Sequence, residues 1–401
     1  MKITAIETIR LPGRPNLLLA HVHTDEGLVG LGETSRGALA VEGQIHDLVA
    51  PYLLGKDPLQ IQLHNRQLSN SYLGFSSAGA EIRAASVIDM ALWDIFGQAM
   101  HQPIYQLLGG ASRDRIRAYN TCAGYNYNTR TIARRQISGD DRPEGPYDDQ
   151  IAFTHRADEL AHSLLSEGYT AMKIWPFDPL AERAAGSFLS QQDLELGLAP
   201  WRKIREAVGD RIEVMSEFHS LWNLQQAKQI ARALEPYRPY WSEDPIKMCD
   251  VATLKEYSQS TSIPVCGSET LGGTAPFRDL LQAQAADIVM LDVGWCGGLT
   301  EARKIAALAE SYQRPVAPHD CNGPVVWVAS IHLMMHIPNA LIMEAVRAYY
   351  STWYKDVLTE LPTVKDGYIY PLTGPGLGTR LLPDLLAQEG VQIKRSGLGR
   401  V

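Results

Sequence analysis

The fold of this chain is indicated by three short apolar runs that each close on a glutamate: EVMSEFH (213–219), YWSEDPI (240–246) and PVCGSET (264–270). The three glutamates, Glu217, Glu243 and Glu269, follow one another at intervals of 26 residues. This interval is about the length of one strand-loop-helix-loop unit. The three side chains are therefore expected at the same end of three neighbouring parallel strands.

Polar residues continue at similar intervals beyond the third glutamate. Asp292 in IVMLD, His319 in PVAPHD and Glu344 in ALIMEA follow at steps of 23, 27 and 25 residues. A single acid at a strand end is about as often a helix cap as a functional group. Six polar residues in phase are poorly explained by capping, so the pattern predicts one polar site shared by consecutive strands.

From Ile116 onward, apolar runs alternate with helical segments. Eight runs have the character of strands: IRAYN, TAMKIW, RIEVMSE, YWSE, IPVCGS, DIVMLD, RPVAP and NALIME. Eight alternating units predict an α/β fold, a (β/α)₈ TIM-type barrel over residues 116–361. In such a barrel the chemistry lies at the carboxyl ends of the strands, where the six polar residues are expected.

The first 115 residues have a different order of elements. Three strand-like runs, ITAIETIRL, NLLLAHVHT and EGLVGLGET, precede helical segments, the longest of which spans about Ala80 to Met100. Strands followed by helices predict a separate α+β capping domain over residues 1–115. The loop-rich segment 362–401 is expected to return to this cap.

Composition excludes several classes of function. A chain of 401 residues with 45% hydrophobic content can build a large core and more than one domain. The net charge of -8 and pI near 5.8 argue against nucleic acid or an anionic membrane as partners. The start does not resemble a signal peptide, and no stretch approaches a membrane span. Five cysteines without CxxC spacing argue against disulfides or zinc and favour the cytoplasm.

The three glutamates predict a metal site. Three acids that converge at one mouth repel one another unless a cation lies between them. Ligands that are all oxygen favour a hard divalent ion, so Glu217, Glu243 and Glu269 are predicted to hold one Mg²⁺ per subunit. Such an ion would stabilise the enediolate that forms when the α-proton of a bound carboxylate is removed.

A general base is available at His319. Asp292, one strand earlier, would orient the imidazole and raise its basicity. Glu344, on the last strand, is expected to hydrogen-bond to the substrate carboxylate or enediolate, as a donor if it stays protonated. The alternative for Glu344 is a buried acid paired with Arg347.

Two further residues have more than one interpretation. His219 lies two positions after Glu217 and would point the same way on an extended strand. It can ligate the metal or protonate a departing hydroxide, the step that a dehydratase needs. Lys173 in AMKIW can stabilise carboxylate charge or serve as a second base, and its alternative is a plain surface charge.

One long polar segment interrupts the barrel rhythm at residues 125–150. A loop of this length is either a functional lid or a mobile insertion, and Tyr127 and Arg134 are among its plausible contacts. The cap loop Leu11–Asn16 and the segment Tyr72–Phe75 are expected to close the pocket. The candidate substrate-binding residues are Asn16, Tyr72, Tyr125, Arg130 and Trp295.

The motifs resemble those of the enolase superfamily, specifically its mandelate racemase subgroup. The resemblance covers nearly the whole length, and its most specific pieces are SEFH, WSEDPI, GSET, LDVGWCGGLTEARKIA and APHDCNGP. It implies a Mg²⁺ ligand set of Glu217, Glu243 and Glu269, a general-base dyad of Asp292 and His319, and a substrate-facing acid at Glu344. It also implies a symmetric homo-oligomer, an octamer or a smaller even-numbered form.

Within the subgroup, the chain is most similar to acid-sugar dehydratases of the galactonate and mannonate kind. In those enzymes a strand-three histidine is the general acid, which the resemblance implies for His219. Racemases and muconate-type enzymes carry Lys-x-Lys on strand two, whereas here Lys173 is followed by Trp175. Glu217 stands where aspartate is commoner, which can shift the ion without removing a ligand.

The sequence therefore predicts Mg²⁺-dependent dehydration of a small-molecule sugar acid. The C2 proton would be removed and the C3 hydroxyl lost, giving a 2-keto-3-deoxy sugar acid. An isomerase, either a racemase/epimerase or a cycloisomerase, is one alternative because it uses the same enediolate. A catalytically silent sugar-acid-binding protein is the other, although binding alone does not need a positioned base.

Overall fold

A computed structural model describes residues 1–69, 78–127 and 145–398 of the chain. Its strands are β1 (Ile3–Arg10), β2 (Leu17–Thr24), β3 (Val29–Ser35), β4 (Ile116–Thr121), β5 (Ala171–Ile174), β6 (Glu213–Glu217), β7 (Ser242–Glu243), β8 (Val265–Gly267), β9 (Ile288–Val289), β10 (Met343–Ala345), β11 (Thr363–Lys365), β12 (Tyr368–Tyr370) and β13 (Gln392–Gly397).

The helices complete the chain order. They are α1 (Ala38–Gln44), α2 (Ala50–Leu53), α3 (Ile61–Ser69), α4 (Ala80–Met100), α5 (Ile104–Leu108), α6 (Asp149–His155), α7 (Ala157–Ser166), α8 (Asp178–Ala184), α9 (Gln191–Val208), α10 (Leu224–Leu234), α11 (Val251–Ser258), α12 (Thr274–Ala283), α13 (Gly298–Ser311), α14 (Pro324–His336) and α15 (Arg347–Tyr350). A π-helical turn, Ile45–Val49, joins α1 to α2, and short 3₁₀ turns cover Glu235–Tyr237, Trp353–Asp356 and Pro383–Ala387.

The amino-terminal part is a sheet covered by a long helix. Its strand order is β13-β1-β2-β3, with antiparallel pairing throughout. Helix α4 has the predicted bounds and packs closely on β3, because a Cβ at Gly32 would lie 2.0 Å from the carbonyl oxygen of Val87. The three predicted strands and the long predicted helix are confirmed.

The second part is the closed barrel. Strands β4 to β9 pair in parallel in chain order, and β10 pairs with β4 to close the ring. The predicted seventh strand, RPVAP, is reduced to bridges that join Val316 to Val289 and to Ala340. Pro315 and Pro318 lack the N–H groups that a longer ladder needs. The predicted fold class, a (β/α)₈ barrel with an α+β cap, is confirmed.

Strand alternation separates an apolar layer inside the barrel from a polar layer above it. Met215, Trp241 and Met290 are buried in the lower layer. Residues two positions further along a strand point the same way, so Glu217 and Glu243 stand directly above the first two. The apolar layer seals the barrel floor and leaves the carboxyl ends of the strands as the site.

The cap is fixed to the barrel at the end of β3. The Glu33 carboxylate accepts hydrogen bonds from the backbone N–H groups of Val325 and Val326, both at 3.1 Å, in the first turn of α14. These are donors that a helix cannot satisfy internally. Thr34 donates to the carbonyl of Gly294 at 2.8 Å. The cap therefore lies against the mouth of the barrel.

The carboxyl-terminal segment contacts both parts. Strand β12 pairs with β4 of the barrel, and β13 pairs with β1 of the cap sheet. The division into 1–115, 116–361 and 362–401 stays a prediction. Within the described residues, no helix combines the length and apolar character needed to cross a membrane.

Candidate active site

The six in-phase residues meet at the mouth of the barrel. Glu217 and Glu243 are the last residues of β6 and β7, and Glu344 lies within β10. All three carboxylates are fully or almost fully buried. Glu269, Asp292 and His319 follow β8, β9 and the seventh-strand bridge.

Three carboxylates form a plausible cation cradle. Glu217, Glu243 and Glu269 each offer an oxygen within 4.8 Å of the others. Burial, with the charge of Glu243 beside it, raises the pKa of Glu217 well above its ordinary value. Oε2 of Glu217 is buried and accepts no hydrogen bond from the described part of the chain. The trio offers only oxygen atoms as metal ligands, and one of these oxygens has no hydrogen bond within the described residues. Such a ligand set fits a hard divalent ion such as Mg²⁺.

A second possible ligand group lies in the cap sheet. Glu7, His21 and His23 also place ligand atoms within 4.8 Å of one another. Nε2 of His23 already lies 2.9 Å from Oε2 of Glu7, and Arg395 pairs with the other oxygen. The cap-sheet group has one carboxylate and two histidines, whereas the barrel trio has three carboxylates and a buried oxygen without a hydrogen bond from any described residue. The barrel trio is therefore the stronger candidate for a hard cation.

Lys173 is buried among the acids. Its Nζ lies 2.5 Å from Glu243, 3.0 Å from Glu344 and 3.6 Å from Glu217. Burial opposes the charge of Lys173, but these carboxylates outweigh it and raise the lysine pKa well above its usual value. Lys173 therefore carries a fixed positive charge inside the site, and the surface-charge interpretation is wrong.

His319 and Asp292 form a tight pair. Nδ1 of His319 lies 2.6 Å from Oδ2 of Asp292, and that oxygen also accepts a hydrogen bond from Asn322. Nε2 lies 3.1 Å from Glu269. Burial disfavours the charged imidazole, but Glu269, Glu344 and Asp292 outweigh it and raise the pKa of His319 to about 10. Compensation of the Glu269 charge would remove the largest of these raising effects, lower the pKa of His319 and leave more of its imidazole neutral and able to accept a proton.

Glu344 is an ionised acceptor. Burial raises its pKa, but Lys173 and His319 outweigh burial and lower that pKa to about 2. The Thr121 hydroxyl and the Asp320 N–H donate to its two oxygens, and Nζ of Lys173 lies 3.0 Å away, so Glu344 is an acceptor here and not a protonated donor. The pairing with Arg347 is also wrong, because that guanidinium lies 2.8 Å from Asp149 and contacts Glu167.

His219 does not lie on an extended strand. Strand β6 ends at Glu217, and His219 has a left-handed backbone conformation with φ of 49°. The turn brings its N–H to 2.6 Å from Oε1 of Glu217. The predicted reason for its direction was wrong, yet its ring reaches the site: Nδ1 lies 4.0 Å from Glu217 and 2.8 Å from Asp178.

The cavity above the trio contains both predicted and unforeseen residues. Trp295 lines it, with its ring 5.2 Å from that of His319, and so does Tyr127 from the start of the long insertion. Asn16 lines a smaller neighbouring cavity. Tyr125 is not among the residues that line either one and lies beside Gly145. The remaining candidates lie outside the described residues: Tyr72, Phe75, Arg130 and Arg134.

Several residues that line the cavity above the glutamate trio were not predicted from the sequence. Arg36, Thr121, Trp175 and Asn322 line the cavity, and of these only Asn322 lies near an in-phase residue. Asp178 is followed by a proline at the start of α8, so its sequence context indicates a helix start. Arg36 belongs to the cap, and nothing in its spacing places it over the barrel.

Two family models match the chain. The mandelate racemase / muconate lactonizing enzyme N-terminal domain matches residues 5–109, and the enolase C-terminal domain-like model matches residues 156–385. The chain belongs to the enolase superfamily. Its cap and barrel are therefore the two domains of that superfamily, and the glutamate trio lies in the barrel domain.

Individual members of the superfamily are similar over the full length. D-galactonate dehydratase of Pectobacterium atrosepticum is 32% identical over 397 residues, which is 97% of this chain and 94% of the relative. A solved enolase of the mandelate racemase subgroup from Agrobacterium tumefaciens is 50% identical, with a TM-score of 0.89 and 100% of both chains covered. A solved enolase protein from the Sargasso Sea is 45% identical, also with a TM-score of 0.89 and full coverage of both chains.

Proposed function

We propose that this superfamily member is a Mg²⁺-dependent dehydratase that converts an aldonate or aldarate to a 2-keto-3-deoxy sugar acid. The observation that carries the proposal is the pair of histidine–aspartate contacts at the glutamate trio. His319 lies beside Glu269 and pairs with Asp292, while His219 lies beside Glu217 and pairs with Asp178. Loss of water needs a base and an acid, and the relative from Pectobacterium atrosepticum bears the name of such an enzyme.

The base side of the site would remove the C2 proton. Asp292 fixes Nδ1 of His319, so Nε2 is the nitrogen that faces the substrate. A divalent ion, when bound by the three glutamates, would lower the energy of the negative charge that develops on the substrate carboxylate. The Lys173 ammonium group stabilises the same charge, and Glu344 accepts a hydrogen bond from the substrate and keeps Lys173 in place.

The acid side would complete the elimination. His219, held by Asp178, gives a proton to the C3 hydroxyl as its bond to carbon breaks, and one water molecule leaves. The resulting enol tautomerises to the 2-keto product. The reaction thus removes one proton from C2 and one hydroxide from C3, with no oxidant or reductant.

A screen tests the proposal directly. Purified, Mg²⁺-loaded protein is incubated with four- to six-carbon aldonic and aldaric acids, and semicarbazide reveals any 2-keto product. The variant His319→Asn should lose about 10²–10⁴-fold in rate on the substrate that is found. The matched control His162→Asn, on the exposed face of α7, should retain the native rate. A folded, metal-loaded His319→Asn protein with native activity would rule the mechanism out.

The alternatives predict different results. In an isomerase, Lys173 would act as a second base, but its contacts with Glu243 and Glu344 hold it in the charged form. Exchange of the C2 proton in D₂O without keto product would indicate an isomerase. Binding without exchange would indicate a silent binding protein. The cytoplasmic location and the homo-oligomer stay predictions from the sequence.

A further inference from the structure

Three side chains that can ligate a transition metal meet on one face of the cap sheet. Glu7 on β1 is directly opposite His21 on β2, and His23 lies two residues further along β2. Residues opposite each other in an antiparallel pair point to the same side of the sheet, and so do residues two apart on one strand. The register of the two strands therefore brings one carboxylate and two imidazoles together.

The distances within this group suit a single bound ion. Oε2 of Glu7 lies 2.9 Å from Nε2 of His23 and 4.0 Å from Nδ1 of His21, and all three ligand atoms lie within 4.8 Å of one another. Tetrahedral bonds of about 2.0–2.1 Å place ligand atoms about 3.3 Å apart, so each separation needs to change by no more than about 1.5 Å. The two rings are inclined at 83° with centroids 5.8 Å apart, so their edges can face a common centre.

The carboxylate of this group is held in place from its other side. Arg395 on β13, which is opposite Glu7 in the sheet, pairs with Oε1 and leaves Oε2 facing the histidines. Partners of this kind orient a metal ligand and increase its affinity for the ion. The side chains of Glu7, His21 and His23 keep 14%, 15% and 24% of their surface exposed, so an ion can reach them from solvent.

The ligand types favour a different ion from the one expected at the barrel trio. Imidazole nitrogen suits Zn²⁺ and related transition ions, whereas Mg²⁺ prefers oxygen. Two histidines and one carboxylate leave one position of a tetrahedral Zn²⁺ open for water. The group is also distant from the catalytic cavity. Leu17 lines the small cavity beside it, and at about 3.4 Å per residue along β2 His23 lies about 20 Å from Leu17.

We propose that Glu7, His21 and His23 form a second metal site that binds one Zn²⁺ per chain. The bound ion would join β1 to β2 and, through Arg395, link both strands to β13. The site is independent of the proposed dehydration, because none of its residues lines the catalytic cavity.

Calorimetric titration with Zn²⁺ tests the proposal. The untagged, metal-free full chain and the variant Glu243→Gln, whose barrel trio is weakened, are titrated in excess Mg²⁺. We expect both to bind one Zn²⁺ at the cap sheet. His21→Gln and His23→Gln should each weaken this binding by more than about 100-fold, and Arg395→Gln should weaken it about 10–100-fold.

Matched controls and a spectroscopic readout identify the ligands. His162→Gln, on the exposed face of α7, should keep the native Zn²⁺ affinity. Co²⁺ added to Glu243→Gln should give the visible absorption of a tetrahedral site with nitrogen ligands. That absorption should be missing when His21→Gln and His23→Gln are combined with Glu243→Gln. Circular dichroism shows whether each variant is folded.

Three results would overturn the proposal. The first is the absence of Zn²⁺ binding in excess Mg²⁺. The second is native Zn²⁺ affinity in folded His21→Gln and His23→Gln, and the third is binding that is lost only in Glu243→Gln, which would place the ion at the barrel trio. If a histidine variant does not fold, Glu7→Gln replaces it, and native affinity in that variant would also overturn the site.

Discussion

Nδ1 of His219 lies 2.8 Å from the buried carboxylate of Asp178, and this contact repeats the pairing that His319 makes with Asp292. Because the aspartate engages Nδ1, Nε2 is the nitrogen that would face the substrate. The ring of Trp175, edge-on to that of His219 at 5.7 Å, further restricts the imidazole. Asp178 thus has the position of a residue that would orient the acid of the proposed dehydration.

The variant Asp178→Asn should separate the two half-reactions. In the proposed mechanism, proton abstraction by His319 does not use Asp178, so exchange of the C2 proton should remain close to the native rate. Dehydration should fall about 10–100-fold, as expected when a supporting partner of a histidine is lost. Proton NMR in D₂O measures both rates in one sample. Asp292→Asn is the matched control and should lower both, whereas an equal fall in Asp178→Asn would mean that Asp178 is only structural.

Addition of Mg²⁺ should raise the melting temperature of the metal-free protein. The three glutamates repel one another, and an ion present at about 100 times its Kd would stabilise the folded state by about 2.7 kcal/mol. The variant Glu243→Gln should lose most of this response, which differential scanning fluorimetry detects. The variant His23→Gln, in the second ligand group, should keep it. A full response in Glu243→Gln would place the ion elsewhere.

Removal of the Lys173 charge should destabilise the protein most when metal is absent. Lys173→Met leaves three nearby carboxylates without their buried cation, a change that typically costs about 3–5 kcal/mol. Chemical denaturation in EDTA measures the loss, and Mg²⁺ should recover part of it. Lys255→Met, at an exposed position of α11, should change stability by no more than about 0.5 kcal/mol. Equal stability of the two variants in EDTA would contradict this prediction.

Acid should destabilise the fold partly through His332. Burial, only partly offset by the hydrogen bond to the Leu377 carbonyl, lowers the pKa of this histidine from 6.5 to about 4. The unfolded chain therefore binds a proton between pH 6.5 and pH 4 that the folded chain does not, so stability is full above pH 6.5 and falls as the pH drops. The effect is about 2 kcal/mol at pH 5.

The variant His332→Gln should reduce this loss. Glutamine keeps a donor near the Leu377 carbonyl but does not titrate. Chemical denaturation at pH 7 and at pH 5 should therefore give a smaller difference in unfolding free energy for this variant than for the wild type. His162→Gln, on the exposed face of α7, should behave like the wild type. An unchanged pH dependence in His332→Gln would show that its imidazole does not contribute.

The placement of the in-phase residues could be predicted because barrel geometry is periodic. Each unit returns the chain to the same end, and alternation along a strand puts Glu217 above Met215 and Glu243 above Trp241. Helix α4 was predicted with its observed bounds because it is long and its apolar residues have helical spacing. Both results depend on local periodicity, which a single sequence carries.

The relationships between site residues that sequence reasoning missed depend on turns and on contacts between distant elements. His219 reaches Asp178 because the chain makes a left-handed turn after β6. The prediction assumed that the strand stays extended through His219 and so did not include this turn. Glu344 stays ionised because Lys173 comes to it from another strand. Neither relationship has a repeat or a motif in the sequence.

The sequence by itself determined the barrel, the cap and the order in which carboxylates and histidine reach the mouth, since these follow from the period of strands and helices. Tertiary structure alone decided which acid pairs with which cation and how His219 is held. Those features depend on burial and on distances of a few ångströms between residues far apart in the chain. Such distances set charge and proton affinity, and no pattern along one strand encodes them.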